Sequence, residues 1–226
     1  MLFKFIERGH FDNFFETGCL RLGTIYDFKD IIGHGVSRGD TSEGEHHLIR
    51  GIDETVTISK DKHEPIISEI FKMEGQGSLT FKDLSIVVPR RCEDAFIFCT
   101  SYLFNEGLFR DWFRENNLDT CYVINDVRSF IYEISQVISS SAFFHSNSNI
   151  IYTEERIDYQ SKYADVNPAF TKLKSEYCWQ FENRTVWGVR GPCGSLSPWV
   201  IYVPKAIKYC KPLAYLNNGK ISYGSV

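Results

Sequence analysis

Short apolar runs that alternate with polar residues dominate the chain, a pattern that predicts more strands than long helices. The clearest buried strand is predicted at residues 95–101, which are apolar until they turn polar at the end. Alternation predicts another strand at residues 19–25, in which Arg21 points away from the face of Leu20 and Leu22.

Similar patterns predict the remaining elements. Further strands are expected at residues 55–59, 79–88, 121–124, 150–152, 178–187 and 200–203. Helices are expected at residues 10–18, 107–116, 127–139 and 168–177, with Gly18 as the C-terminal cap of the first. Helices that lie between more numerous strands favour an α+β class, and we expect residues 1–226 to form one domain.

Composition narrows the class of protein. The 226 residues are 43% hydrophobic, which is typical of a globular chain. A net charge of −4 disfavours tight nonspecific binding to nucleic acid, although a transient nucleic-acid substrate stays open. The seven cysteines are widely spaced and contain no C-x-x-C pair, so we expect buried, reduced thiols in a cytoplasmic protein. No apolar run is long enough for a membrane span, and charged residues interrupt the first eight positions too early for a signal peptide.

Three elements stand in an order that resembles the ADP-ribosyltransferase superfamily. They are Arg21 on an early strand, Cys99-Thr100-Ser101 at the end of a middle strand, and Gln180-x-Glu182 on a late strand. The middle element departs from the Ser-Thr-Ser pattern of that superfamily, because Cys99 lacks the first hydroxyl. The resemblance implies a split β-sandwich with helices between its strands, and NAD as the substrate that donates ADP-ribose.

The resemblance also implies a role for each residue. Glu182 grips the 2′-hydroxyl and stabilises an oxocarbenium-like transition state, while Gln180, on the same side of the strand, orients an amide or nucleobase acceptor. Ser101 or Thr100 positions Glu182 or the ribose. Arg21 pairs with an NAD phosphate.

Two aromatic residues and one loop complete the expected site. Tyr26 or Tyr102 is expected to stack on nicotinamide. The polar segment at residues 33–47 is interpreted as a lid that brings Arg38 and Asp40 near the cofactor. His46 and His47 are adjacent on an extended chain and point to opposite faces, so we expect no metal site.

The chain also resembles a broad bacterial family of uncharacterised proteins with a late Trp-x-x-Glu-x-Glu-x-Arg strand. The corresponding segments are residues 40–44, residues 98–101, Trp112 and residues 179–184, with Gln180 in place of the first Glu. A looser resemblance connects the chain with toxin components of phage-defence systems. These resemblances imply a toxin or defence effector that modifies nucleic acid or protein and is neutralised by an antitoxin protein.

Other interpretations stay open at this stage. The chain is alternatively a non-catalytic module that senses a nucleotide or phage protein, or an NAD glycohydrolase with water as acceptor. Gln180, Glu182 and Arg184 also fit the solvent face of an ordinary strand. Arg21 fits a surface ion pair, and residues 33–47 fit a solvated loop.

Overall fold

A computed structural model describes residues 1–35, 37–191 and 196–224 of the chain. The strands are β1 (Leu2–Ile6), β2 (Cys19–Thr24), β3 (Glu45–Ile52), β4 (Val56–Ser59), β5 (Ser78–Phe81), β6 (Leu84–Arg91), β7 (Phe96–Ser101), β8 (Thr120–Ile124), β9 (Ala142–Asn149), β10 (Ile151–Thr153), β11 (Arg156–Asp158), β12 (Thr171–Leu173), β13 (Glu182–Val189), β14 (Trp199–Tyr202), β15 (Cys210–Asn217) and β16 (Lys220–Tyr223). The helices are α1 (Arg8–Thr17), α2 (Ile31–His34), α3 (Pro65–Ile70), α4 (Glu106–Asn116), α5 (Val127–Ile138) and α6 (Lys174–Tyr177). Most strand pairs are antiparallel, and the predicted α+β class is confirmed.

The central strand of the main sheet is β7, and its two edges are used differently. β13 pairs with one edge along the whole length of β7. The other edge is shared, because β2 pairs through Gly23 with Ile97 whereas β1 pairs through Phe3 with Ser101. Cys99 lies midway between these two pairs. The sheet is therefore split between β1 and β2, opposite the middle of β7.

The apolar sequence of β7 is explained by burial on both of its faces. Ile97 is 1% exposed on one face and Phe98 is 4% exposed on the other. Helices α1 and α5 cover the Phe98 face, where Phe14 of α1 stacks on Tyr122 with ring centroids 5.0 Å apart. Burial of each such side chain contributes about 1.5–3 kcal/mol to the stability of the fold, so this cluster holds α1 and α5 against the sheet.

A smaller three-stranded sheet lies outside the main sheet. Its order is β11-β3-β6, and a separate two-stranded sheet pairs β4 with β5 in antiparallel orientation. Leu48, Ile52, Ile58 and Ile67 share one buried cluster beneath them. The loop that leads into β3 connects this region to the main sheet through Glu43, which is 1% exposed.

Several predicted elements agree with the structure and others need correction. Gly18 caps α1 in the left-handed conformation with φ 76, and Leu20 and Leu22 are buried while Arg21 is exposed. The predicted strand at residues 79–88 is wrong as a single element. It forms β5 and β6 with a break at Asp83, where φ is 52. Among the described residues, seven strands were not predicted, namely β1, β3, β9, β11, β12, β15 and β16. The polar second half of β9 hides its strand character.

The predicted helix at residues 168–177 is also wrong. The segment contains a 3-10 turn at Pro168–Phe170, then β12, then the single turn of α6. Residues of β12 pair in parallel with β10, and this tertiary pairing overrides the local helical pattern. The predicted strand at residues 178–187 is wrong at its start, since Cys178–Gln180 is a 3-10 turn and β13 begins at Glu182.

Helix hydrophobicity and the burial of the cysteines are the two structural features that relate to the chain's environment. No helix within the described part of the chain is long and apolar enough to cross a membrane. Six cysteines have free thiols; Cys121 and Cys210 are buried as expected, whereas Cys178 is exposed. Cys193 lies outside the described residues.

Candidate functional site

A cavity of about 520 Å³ opens at the split in the main sheet. Six of the residues singled out in the sequence line it, and these are Arg21, Arg38, Thr100, Ser101, Gln180 and Glu182. They come from β2, the loop after α2, β7, the turn before β13 and β13 itself. Residues up to 161 positions apart (182 − 21 = 161) therefore border one space.

Neither of the two tyrosines expected to stack on a ligand lines this cavity. Tyr26 borders a second cavity, and its hydroxyl donates to the carbonyl oxygen of Cys92 at 2.9 Å. Tyr102 is 39% exposed and meets Phe181 edge-on. Phe28 and His34 line the cavity at the split instead, with their rings stacked at a centroid distance of 4.7 Å.

Strand register decides which side chains share a face at the site. Glu182 lies opposite Ser101, and Arg184 lies opposite Cys99. Directly opposed residues of antiparallel strands point to the same face, so these four side chains belong together. Thr100 points to the other face, where its hydroxyl donates to the carbonyl oxygen of Asn183 at 3.2 Å.

Glu182 belongs to a buried network of four charged side chains. Lys172 Nζ lies 2.8 Å from Glu182 Oε2, and Arg184 Nε donates to Glu182 Oε1 at 2.9 Å. Arg184 also pairs with Glu43 through both of its terminal nitrogens. The exposed fraction is 4% for Glu182 and 1% for Arg184. The solvent-face interpretation of Glu182 and Arg184 is therefore wrong.

The network holds Glu182 in its ionised form. Burial alone raises the pKa of this carboxyl group, but the positive charges of Arg184 and Lys172 outweigh burial and lower the pKa to about 2. Burial lowers the pKa of Lys172, but the negative charges of Glu182 and Glu43 outweigh burial and raise that pKa above its ordinary value. At neutral pH the cavity wall thus carries a carboxylate with a permanent negative charge.

Gln180 is held at both ends of its amide. Lys172 Nζ donates to Gln180 Oε1 at 3.3 Å, and Gln180 Nε2 donates to the carbonyl oxygen of Ser37 at 2.6 Å. The prediction that Gln180 lies on the strand beside Glu182 is wrong, because Gln180 belongs to the preceding turn. Its amide joins this turn to the loop that carries Arg38.

The turn before β13 has an unusual backbone. Phe181 has φ 48, which is rare for a bulky residue and costs about 1–2 kcal/mol. Ser101 Oγ lies 3.0 Å from the carbonyl oxygen of Gln180 and 3.1 Å from that of Phe181. Tyr102 N donates to the same Phe181 oxygen at 2.8 Å. The Ser101 hydroxyl therefore supports the turn that delivers Glu182, rather than touching its carboxylate.

The remaining cations around the cavity differ in how they are paired. Arg21 NH2 lies 2.7 Å from Asp27 Oδ2, and His34 Nε2 lies 3.2 Å from the same oxygen. Arg38 is half-buried, and its Nε donates to the carbonyl oxygen of His34 at 3.3 Å. Among the described residues, no carboxylate lies within ion-pair distance of Arg38.

The sequence analysis gave no role to Lys172 and included Glu43 only within the segments 33–47 and 40–44, although both belong to the charged network. Lys172 was predicted to lie in the helix at residues 168–177, and Glu43 in the polar loop at residues 33–47. The interpretation of residues 33–47 as a solvated loop is wrong at Asp40 and Glu43, which are 8% and 1% exposed. A glutamate just before a strand carries no sequence signal for this role, since its partner Arg184 is 141 residues away.

The two adjacent histidines behave as their spacing predicts. His46 is buried, and His47 is half-exposed beside Glu45. Within residues 1–35, 37–191 and 196–224, no group of three His, Cys, Asp or Glu side chains is placed to hold a metal ion.

Comparison with known proteins adds no relative. No family model matches the chain, and no match was found among curated proteins or among solved structures.

Proposed function

We propose that this protein is an NAD-dependent ADP-ribosyltransferase that modifies a macromolecule. The observation that carries the proposal is an ionised, buried Glu182 in the wall of a cavity that is otherwise rich in cations. Five Lys or Arg residues and two Glu residues line the cavity; three of the five cations are paired with carboxylates, which leaves Lys4 and Arg38 with no carboxylate of the described residues within ion-pair distance. A local excess of cations suits a dianionic pyrophosphate, and a volume of about 520 Å³ lies within the usual range for small-molecule sites.

The proposed binding mode divides the cavity by charge. Arg21 and Arg38 bind the pyrophosphate, since guanidinium groups form paired hydrogen bonds with phosphate oxygens. The stacked rings of Phe28 and His34 form a flat wall for an aromatic base. These two residues take the role that the sequence suggested for Tyr26 and Tyr102, which lie elsewhere.

The proposed reaction uses the fixed charge of Glu182. The bond between the ribose C1′ and the nicotinamide nitrogen breaks, and its electron pair leaves with nicotinamide. The positive charge that develops on the ribose is stabilised by the nearby carboxylate, which needs no proton transfer because it is already ionised. A nucleophile of the acceptor then bonds to C1′ and loses its proton.

Gln180 acts in this proposal through the loop it holds. Its hydrogen bond to the Ser37 carbonyl oxygen fixes the segment that carries Arg38. Gln180 is thus a positioning residue, and the acceptor is nucleic acid or protein. An effector of this kind acts as a toxin or in phage defence, and an antitoxin protein is its expected partner.

Labelled NAD incubated with the purified protein and whole-cell lysate tests the activity. We expect release of nicotinamide together with label that becomes attached to macromolecules. Treatment of the product with nuclease or protease then identifies the acceptor. No nicotinamide release with or without lysate would reject the enzymatic proposal.

The substitution Glu182→Gln tests the residue assignment. A folded variant, as judged by its thermal unfolding, is expected to bind NAD and to lose nicotinamide release by about 100-fold or more, because one preorganised charge is removed from the transition state. Glu155→Gln is the matched control, since Glu155 is an exposed glutamate away from the cavity lining. Equal activity of the two variants would show that Glu182 is not the catalytic residue.

One observation favours a second candidate, a nucleotide-binding module without catalysis. Both carboxylate oxygens of Glu182 are already paired, one with Arg184 and the other with Lys172. A carboxylate held in this way stabilises the fold whether or not a ligand is present. Calorimetric NAD binding without nicotinamide release would support this candidate, whereas release without macromolecular label would indicate NAD glycohydrolase activity.

A further inference from the structure

The split between β1 and β2 leaves one backbone position of β7 unpaired by a strand on that edge. Phe3 pairs with Ser101 and Gly23 pairs with Ile97, so Cys99 lies alone between them. Both polar groups of a residue in an antiparallel strand point to the same edge. The carbonyl oxygen and the N–H group of Cys99 therefore both face the opening.

Lys4 places its ammonium group at one side of this opening. Its Nζ donates to the Cys99 carbonyl oxygen at 2.7 Å and lies 4.7 Å from the centroid of the Phe98 ring. An ammonium group has three N–H donors, and this contact uses one of them. No carboxylate of the described residues lies within ion-pair distance of Lys4, although the side chain is half-buried.

The electrostatic surroundings of Lys4 also favour the binding of an anion by its ammonium group. Its pKa is lowered first by burial, which Cys99 and the Glu182 carboxylate oppose, and the like charges of Arg38 and Arg21 lower it further. The pKa of Arg38 is likewise lowered by burial and by Arg21, while Glu7 opposes this. Cations that destabilise each other in a cavity bind an anion more strongly than cations already paired with carboxylates.

We propose that the opening at Cys99 is a phosphate-binding subsite formed by the Lys4 ammonium, the Cys99 N–H group and the Arg38 guanidinium. Its ligand class is a phosphoryl or diphosphate group, which accepts hydrogen bonds from all three donors. This inference deepens the proposed function, since the group is then the pyrophosphate of NAD. The subsite itself requires only an anion and no reaction.

Inorganic pyrophosphate tests the phosphate-binding subsite separately from the transferase activity, because it is an anion that cannot donate ADP-ribose. Calorimetric titration of the full chain is expected to show binding that Lys4→Met weakens by about tenfold or more, because a charged hydrogen bond is lost. Lys4→Arg keeps the charge and is expected to bind better than Lys4→Met. Lys211→Met is the matched control, because Lys211 is an exposed strand lysine away from the cavity lining and its substitution changes net charge equally.

Arg38→Gln provides a second route if Lys4→Met does not fold, as judged by its thermal unfolding. This variant is expected to weaken pyrophosphate binding by about tenfold as well. Unchanged affinity in a folded Lys4→Met variant, or no binding to the wild type, would overturn the subsite.

The outcomes also distinguish the subsite from the transferase proposal. Lys4-dependent pyrophosphate binding without nicotinamide release retains the subsite and rejects the transferase. Nicotinamide release with the same KM for NAD in wild type and Lys4→Met retains the transferase and rejects the subsite.

Discussion

Four buried side chains, Glu43, Lys172, Glu182 and Arg184, form a neutral set of two carboxylates and two cations. Among the described residues, every ion pair of these four side chains is made within the set, and each residue is at most 6% exposed. Removal of one of these four charges is therefore expected to lower the free energy of unfolding by more than a single ion pair contributes, because an unpaired buried charge remains. At this scale, stability and the proposed chemistry depend on the same carboxylate.

The low pKa of Glu182 predicts how stability depends on pH. The folded-state pKa is about 2, below the ordinary value of 4.5, so ionisation stabilises the fold above about 4.5. This contribution, of the order of a few kcal/mol, is lost as pH falls from about 4.5 towards 2. Urea unfolding of wild type and Glu182→Gln across this pH range measures it. Their difference in unfolding free energy is expected to shrink on acidification, and a constant difference would contradict the prediction.

A double-mutant cycle tests whether the network is coupled. Lys172→Met leaves two carboxylates with one cation and is expected to destabilise the protein by about 3–5 kcal/mol. Adding Glu182→Gln restores neutrality around the Glu43–Arg184 pair. The double variant is expected to be more stable than the sum of the single effects by about 0.5–3 kcal/mol, measured by denaturant unfolding. Simple additivity would show that Lys172 and Glu182 do not interact.

Among the elements, helix α1 ends where the chain must turn immediately into β2. Gly18 makes this turn with φ 76, and its N–H group donates to the carbonyl oxygen of Phe14. The backbone of Val203 and Pro204 packs directly against Gly18. This glycine thereby fixes the position of β2, the strand that brings Arg21 to the split.

Two glycine substitutions separate backbone strain from steric contact. Gly219→Ala, at φ 75 with no atom within 4 Å, is expected to cost about 1–2 kcal/mol from left-handed strain alone. Gly18→Ala places a Cβ 2.4 Å from the nitrogen of Pro204 and is expected to cost about 1–3 kcal/mol more. Thermal or urea unfolding of both variants measures the difference. Equal destabilisation would mean that the approach of Pro204 to Gly18 relaxes freely.

Over the whole molecule, charge is distributed unevenly. The chain has a net charge of −4, whereas the cavity at the split is lined by two cations, Lys4 and Arg38, that have no carboxylate of the described residues within ion-pair distance. Such a cavity attracts small anions even though the protein as a whole is acidic.

Salt is expected to weaken ligand binding as a result. The Debye length falls from about 10 Å at 0.1 M salt to about 3 Å at 1 M, which screens the half-exposed cations Arg21, Arg38 and Lys4. The Kd for NAD, measured by calorimetry in increasing sodium chloride, is expected to rise several-fold over this range. A Kd that is independent of salt would indicate that these cations do not contact the ligand.

Local pattern was sufficient for much of the fold. The apolar run of β7, the helical spacing in α5 and the glycine after α1 each identify an element, because burial and left-handed backbone impose strong residue preferences. The side of β2 on which Arg21 lies also follows from alternation alone. These features depend on residues close together in the chain.

Tertiary structure alone decided where the charges meet. The sequence by itself determined the α+β class and drew attention to Glu182, but Lys172 was misplaced in a helix because its strand forms only against β10. Glu43 and Arg184 lie 141 residues apart, and Lys4 reaches Cys99 across 95 residues. A polar residue carries no local signal for such a partner, since its buried environment is created only when distant strands pack together.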